Sequence, residues 1–484
     1  MEPTTIAKSP AREKYNASRL AHWDGVAKDS DRRATWGGYY RRRLAQVYRA
    51  FVAPGCRVLE VGSGLGDLLA NLNATEAVGV DFSREMVDRA AARHPEIRFI
   101  CADAHRLNQA VDGHFDLIIL SDLVNDLWDV QEVLEQVARV STPRTRLVLN
   151  FYSRLWEPVL AVADRLGLAK PTLQQNWFTV DDVINLIQLT GFEPIRHSEE
   201  ILWPIDMPVL APLANRYLVK IWPFRWLALT NVLLARPRAQ DRGGAAPVVS
   251  VIVPARNEAG NIPQVFDRVP EMGGGTEIVF VEGHSKDDTL AAIQQEIAAH
   301  PERRCLALQQ TGVGKGDAVR LGFAKASGDV LMILDADLTV PPEDLPRFYE
   351  ALASGHGEFI NGVRLVYPLE GEAMRFFNFI ANKLFGLTFS WLLGQPVKDT
   401  LCGTKVLWKS DYDLIAANRA HFGELDPFGD FDLLFGSARL GLKIVDLPIR
   451  YRARTYGTTN IQRWRHGVLL FRMVLLAARR LKFW

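Results

Sequence analysis

The stretch Val330-Leu331-Met332-Ile333-Leu334-Asp335-Ala336-Asp337-Leu338-Thr339-Val340-Pro341-Pro342 decides the reading of the second half of this 484-residue chain. Five apolar residues in a row predict a strand buried on both faces, as in a parallel sheet. Two carboxylates follow, one residue apart. Side chains alternate along extended backbone, so Asp335 and Asp337 are expected to point the same way and Ala336 the other. Hard divalent cations such as Mg2+ or Mn2+ take oxygen ligands, and open α/β sheets bind ligands beyond the carboxyl ends of their strands. Asp335 and Asp337 are therefore the candidate metal ligands.

The length predicts two or three domains. The formal net charge of +1 offers no global field for nucleic acid, so no nucleic-acid partner is expected. Cys56, Cys101, Cys305 and Cys402 stand far apart, which favours a reducing compartment over a disulfide framework or zinc site. No run of 18 or more uninterrupted apolar residues predicts a spanning helix. The expected location is cytoplasmic, peripheral on the inner face of the membrane.

The first 50 or so residues are rich in Arg, Tyr and Trp, including Trp36 to Arg43, and read as a helical lead-in or lid. Next stands Cys56-Arg57-Val58-Leu59-Glu60-Val61-Gly62-Ser63-Gly64-Leu65-Gly66-Asp67, a short β-branched run passing through glycines into a helical pattern. Glycines let the backbone approach a ligand, and the helix start offers unpaired N–H groups. The spacing departs from the dinucleotide fingerprint G-x-G-x-x-G. It resembles motif I of class I S-adenosylmethionine-dependent methyltransferases, E-x-G-x-G-x-G, and later signals keep that family's order over residues 40 to 200. Asp81, with Phe82, ends a second strand where the family bonds the ribose hydroxyls. Asp103, with Ala104, ends a third where it contacts the adenine amino group, and a fourth, Phe115 to Asp122, leads to the methyl-transfer site. The resemblance implies S-adenosylmethionine bound at Glu60, Gly62, Gly64, Gly66, Asp81, Phe82, Asp103 and Ala104. Asp122, His105, Tyr39 and Tyr152 are candidate helpers of the methyl acceptor, and the apolar stretch Ile201 to Ala235 is a candidate cap over its pocket.

Arg236 to Pro247 is small, polar and rich in Gly and Pro, and marks the boundary. The expected organisation is residues 1–235, a linker 236–247, and 248–484: an α/β chain of two Rossmann-like domains. After the linker, Pro254, Asn257 and Glu258, then Glu282-Gly283-His284-Ser285-Lys286-Asp287-Asp288-Thr289, resemble family-2 glycosyltransferases of the GT-A fold. The branch is that of dolichol-phosphate mannose synthases and polyprenyl-phosphate glycosyltransferases, and the likeness runs to about residue 465. Gly283 replaces an acid of the family pattern, and Thr459 and Asn460 replace its Ser and Lys. The resemblance implies a nucleotide sugar held by Pro254, Asn257, Glu258, Glu282, Ser285 and Asp335, with Mg2+ or Mn2+ on Asp335 and Asp337, in an inverting transfer.

An ionised lipid phosphate needs no general base, only cations, and Arg364, Arg375 and Arg454 are the forked donors for it. A sugar hydroxyl would need a carboxylate base, and then Asp430 or Asp432 is the candidate. Along Ile461 to Trp484, Arg465, Arg472 and Arg479 recur every seven residues among Leu, Met and Phe. With Phe376 to Gly394, this tail suits an anionic membrane surface, or equally a helix packed on its own domain. The expected function is thus a methyltransferase fused to a metal-dependent sugar transferase with a polyprenyl-phosphate acceptor. The alternatives are a soluble transferase acting on a glycan or small-molecule hydroxyl, and one half serving as a non-catalytic binding or scaffold module.

Overall fold

A computed structural model describes residues 10–28, 38–165, 173–239, 244–367, 376–419, 429–452, 454, 456 and 463–483. Trp36, Gly37, Arg375, Thr455, Thr459 and Asn460, and the side chain of Arg465, lie outside the described residues. The chain divides into two compact units, Met1–Arg238 together with Phe483–Trp484, and Ala239–Lys482.

The first unit is built on strands β1 (Arg57–Val61), β2 (Glu76–Asp81), β3 (Arg98–Cys101), β4 (Leu117–Leu120), β5 (Arg146–Tyr152), β6 (Phe192–Ile201) and β7 (Thr230–Pro237). Their order is β3-β2-β1-β4-β5-β7-β6. β1 to β5 run parallel, and β7 lies antiparallel between β5 and β6. β4 reads Leu-Ile-Ile-Leu and every residue is buried, as helices on both faces of a parallel sheet require. The strand order reverses between β1 and β4, the switch point at which doubly wound sheets open a crevice.

Two expectations change here. The apolar stretch to Ala235 is not all cap, because Thr230–Pro237 is a strand buried along nearly its whole length. That strand also takes in Arg236 and Pro237, so the first unit runs into the predicted linker. An antiparallel strand enclosed by neighbours reads in sequence as one more apolar run. Residues 202–229 are tied back on the sheet: Asn215 Oδ1 accepts from the N–H groups of Leu202 and Trp203 at 2.8 Å each, and Lys220 pairs with the buried Glu200.

The second unit carries β8 (Val249–Ala255), β9 (Thr276–Glu282), β10 (Arg304–Gln309), β11 (Val330–Ile333), β12 (Phe359–Val363), β13 (Lys405–Trp408) and β14 (Ile444–Pro448). Their order is β10-β9-β8-β11-β13-β12-β14, with β13 antiparallel to both neighbours. The reversal falls between β8 and β11. β11 is the buried strand expected from the opening stretch, although it stops at Ile333.

Candidate functional site

In the first unit the glycine loop leaves β1 at the reversal, and Gly62 takes φ 80°. Its N–H and that of Ser63 both donate to Val80 O, at 2.7 and 3.0 Å, which lashes the loop to β2. Asp81, ending β2, accepts from Gly64 N–H at 2.8 Å and from Ser83 N–H at 2.9 Å. Burial raises its pKa despite these bonds. Glu60 is buried, and burial, then the charges of Asp81, Asp67 and Asp122, push its carboxyl well above the usual range. Its Oε2 has no hydrogen-bond partner among the described residues. Phe99 packs where a side chain on Gly66 would stand, and a Cβ there would meet its ring within 2.9 Å of Cε1. The loop thus carries a buried carboxyl oxygen without a partner among the described residues, beside glycines packed closely on Leu123 and Phe99.

Asp103 caps the short turn that begins at Ala104, accepting from His105 N–H at 3.0 Å and meeting His105 Nδ1 at 2.7 Å. Burial opposes its charge, but the bonds from His105 hold the carboxyl below the ordinary range. Phe82 is half-buried beside Asp81. Where a helical lead-in or lid is expected over the first 50 or so residues, the described residues form the helices Pro10–Lys28 and Gly38–Arg49. Trp23 Nε1 donates to Asp126 at 2.7 Å, Arg19 pairs with the same carboxylate at 2.7 Å, and Ser83 Oγ donates to Asp24 at 2.5 Å. Pro10–Lys28 is thereby fixed over the loops that follow β4 and β2.

In the second unit the loops after β8 and β9 brace one another. Asn257, with φ 58°, donates its N–H to Ser285 Oγ at 3.0 Å and accepts from Lys286 N–H at 2.7 Å. Glu258 N–H donates to Thr289 Oγ1 at 3.0 Å. Glu282 accepts from Ser285 N–H at 2.6 Å; burial opposes its charge, and the Ser285 bonds keep its pKa low. Pro254 lies within β8, in register with Val281.

Asp335 and Asp337 do not sit on extended backbone. Leu338 N–H donates to Asp335 O at 3.1 Å, and Leu338 takes φ 52°, so the chain turns between the two acids. The alternation argument therefore fails, and a tight turn sets their relation instead. Lys315 Nζ stands 2.5 Å from Asp335 Oδ1. Burial would raise the pKa of Asp335, but Lys315, Lys405 and Arg364 together hold it below the usual range. Asp337 accepts from Thr339 N–H and Oγ1 at 3.1 and 2.8 Å. The glycines before β11 start the helix Lys315–Lys325, and Gly403 lies so close to Asp335 that a Cβ there would stand 2.7 Å from its Cγ.

The cations and acids assigned to the acceptor are placed otherwise than expected. Arg364 is not an open fork: its Nε and Nη2 engage Asp399 at 2.7 and 2.9 Å, and that carboxylate is fully buried. Arg454 spans two carboxylates, with Nη1 3.1 Å from Glu258 and Nη2 2.6 Å from Asp337. Asp430 lies 3.1 Å from the buried Lys405, and Asp432 lies 2.6 Å from Arg419 Nε. Both acids are thus paired with cations. Lys405 carries a signal in the sequence, since a lysine inside an apolar strand is rarely buried unless paired. Among the described residues one cavity of about 360 Å3 is lined by Pro341, Glu343, Asp344, Arg347, Tyr367, Arg450 and Arg452.

Residues 58–144 match a family described as a methyltransferase domain, and residues 250–404 match glycosyl transferase family 2. A dolichol-phosphate mannosyltransferase of Pyrococcus furiosus is 30% identical over 222 residues, which cover 44% of this chain and 59% of that protein. An undecaprenyl-phosphate 4-deoxy-4-formamido-L-arabinose transferase of Pectobacterium carotovorum is 37% identical over 217 residues, 44% of this chain and 62% of that one. The chain thus spans about three-fifths of the length of these curated relatives. A solved SAM-dependent methyltransferase of Thermotoga maritima, described as a possible histamine N-methyltransferase, covers 45% of this chain and 99% of its own at 14% identity and a TM-score of 0.35. The chain carries a methyltransferase domain followed by a glycosyl transferase family 2 domain.

Proposed function

We propose that the chain is a double transferase. The second unit moves a sugar from a nucleotide sugar to a polyprenyl phosphate, and the first moves a methyl group from S-adenosylmethionine to a separate acceptor. The observation that carries the first half of this reading is the carboxylate pair at the β8–β11 reversal, inside the stretch that matches glycosyl transferase family 2. Asp335 and Asp337 offer hard oxygen donors and would hold Mg2+ or Mn2+, which would neutralise charge on the departing diphosphate. Asn257, Glu258, Glu282 and Ser285, braced as described, form the wall for the nucleotide. Asp430 and Asp432, already paired with cations, favour an acceptor that brings no proton to remove. We assign its phosphate to Arg450 and Arg452 in the cavity of about 360 Å3, where Arg347 is paired with Asp344 at 3.4 Å. Arg452 N–H donates to Thr339 O at 2.9 Å, two residues from Asp337, which supports that assignment. Incubation with a panel of nucleotide sugars and undecaprenyl phosphate, with and without Mn2+, and mass spectrometry of the lipid product test the reading. No glycosylated lipid with any donor would overturn it.

In the first unit, Glu60 and the Gly62 loop would receive the cofactor, and Asp81 the ribose. Replacing Asp81 by Ala removes an acceptor and also frees Gly64 N–H and Ser83 N–H. One such loss is worth on the order of 1–3 kcal/mol. Calorimetry with S-adenosylhomocysteine should show affinity weakened roughly ten- to a hundredfold, and equal binding by mutant and wild type would remove Asp81 from the site.

A peripheral membrane position is part of the same proposal. Among the described residues no helix is long and apolar enough to cross a membrane. The helices Phe376–Leu393 and Arg463–Ala477 nevertheless present apolar residues outward. Leu384, Leu387 and Phe471 are 60%, 70% and 58% exposed, while Leu392, Leu393, Leu470 and Met473 pack into the core. One face of the tail packs on its domain, and Arg472, Arg479 and Arg480 are exposed. Neither segment contains an acidic residue. Each cation near an anionic surface contributes about 1 kcal/mol. Changing Arg472, Arg479 and Arg480 to Gln should weaken vesicle binding on the order of a hundredfold at low salt. Co-sedimentation with phosphatidylglycerol vesicles checks this, and equal pelleting of both proteins would sink it.

A further inference from the structure

Of the groups named for the methyl acceptor, one stands apart. His105 is engaged at both ring nitrogens, with Asp103 at 2.7 Å and Asp129 N–H at 3.4 Å. Tyr39 OH accepts from Asn215 Nδ2 at 3.1 Å. Asp122 follows β4 by two residues, on the far side of the strand-order reversal from Gly62, and takes φ 52°. A non-glycine residue in that conformation is held there by its surroundings.

Those surroundings are a closed set of donors. Tyr40 OH donates to Asp122 Oδ1 at 2.8 Å, and Asn150 Nδ2 donates to the same oxygen at 2.5 Å. Asn150 Oδ1 in turn accepts from Asp122 N–H at 3.1 Å and from Tyr48 OH at 2.6 Å. Both directional bonds fall on one carboxylate oxygen. Oδ2 has no hydrogen bond from any described residue. The next residue, Leu123, packs against Gly62: a Cβ on that glycine would stand 2.9 Å from Leu123 Cδ1. Asp122 therefore belongs to the same edge as the glycine loop and Glu60, whose carboxyl feels the charge of Asp122.

We infer that Asp122 is the general base of methyl transfer, taking the acceptor's proton on Oδ2 while Tyr40 and Asn150 fix the carboxylate through Oδ1. This rests on the methyltransferase reading of the first unit. The acceptor's lone pair forms the new bond to the methyl carbon, the C–S bond breaks with its electrons on sulfur, and the O–H or N–H proton passes to Oδ2. The acceptor class follows: a neutral hydroxyl or amine with a proton to lose, and not a carboxylate or phosphate, which Asp122 would repel. Burial raises the proton affinity of Asp122, in keeping with that task.

The test needs no knowledge of the acceptor. Sinefungin carries an ammonium in place of the sulfur-borne methyl group, and S-adenosylhomocysteine carries nothing there. If Oδ2 faces that position, the wild type should bind sinefungin about 10- to 100-fold more tightly, the size of a charge-assisted bond. Asp122→Asn suits the same backbone, since Asn also adopts left-handed φ. It should bind S-adenosylhomocysteine as the wild type does and lose the preference. Tyr40→Phe, which leaves Oδ2 in place, should keep it. An equal preference in wild type and Asp122→Asn overturns the assignment, and so does its loss in Tyr40→Phe to the same degree. Failure of the wild type to bind either compound overturns the methyltransferase reading itself.

Discussion

Asp335→Asn is expected to lower sugar transfer on the order of a thousandfold or more, with Asp337→Asn close behind, while S-adenosylhomocysteine still binds the other unit. Lewis-acid stabilisation of a leaving phosphate is worth several kcal/mol, and each 1.36 kcal/mol is tenfold in rate. The amide keeps the volume of the carboxylate but removes its charge. It also leaves Lys315, now 2.5 Å from Asp335 Oδ1, facing a neutral group. Transfer should fail likewise in chelator and return with Mn2+ in the wild type alone. Unchanged transfer by both variants, or full activity in chelator, would refute the assignment of the pair.

The second large effect is on stability. Asp399 accepts from the Arg364 backbone N–H at 3.1 Å as well as from its guanidinium, and from Leu401 N–H at 3.1 Å. Asp399→Ala strands Arg364 in the interior, and breaking a buried pair from one side costs about 3–5 kcal/mol. A thermal melt of the second unit should fall by many degrees, and Arg364→Met with Asp399→Leu should recover much of the loss. Burial would raise the pKa of Asp399, but Arg364 and the backbone donors hold it below the ordinary range. A depressed carboxyl stabilises the fold above its unfolded pKa of about 4 and loses that contribution as pH falls through the folded value. Urea midpoints of the wild type should therefore drop below pH 4, and the Asp399→Ala variant should show a flatter acid limb. Equal stability of variant and wild type at pH 7 would mean that Arg364 is not confined.

What could be read from the chain was what lies close together in it. An apolar strand, a glycine turn and an acid at the strand end are local, and they led directly to Glu60, Gly62, Asp81 and the Asp335–Asp337 pair. The two-unit architecture followed from finding such signals twice, with a polar Gly/Pro stretch between. Pairings across long sequence distances left no trace. Arg454 and Glu258 are 196 residues apart, and Arg364 and Asp399 are 35 apart. A forked cation looks the same in sequence whether it faces a ligand or a buried carboxylate. The turn at Asp335 was missed for a related reason: Leu338 is apolar and gives no sign that its φ is positive. The strand Thr230–Pro237 was missed because enclosure on both sides removes the alternation that marks a half-exposed strand.

The backbone of Gly429 runs so near that of Gly316 that a Cβ on the former would stand 2.8 Å from the latter's Cα. With Gly403 over Asp335, this means that the edge of the second site is set by absent atoms. In a saturation scan of sugar transfer, these positions would lose function to every substitution and would rank beside the carboxylates. Such a map would be reporting excluded volume. Conservative replacement separates the two classes: Asp335→Glu retains a metal-binding group and can keep some rate, whereas Gly429 has no conservative replacement, since even alanine adds the offending carbon.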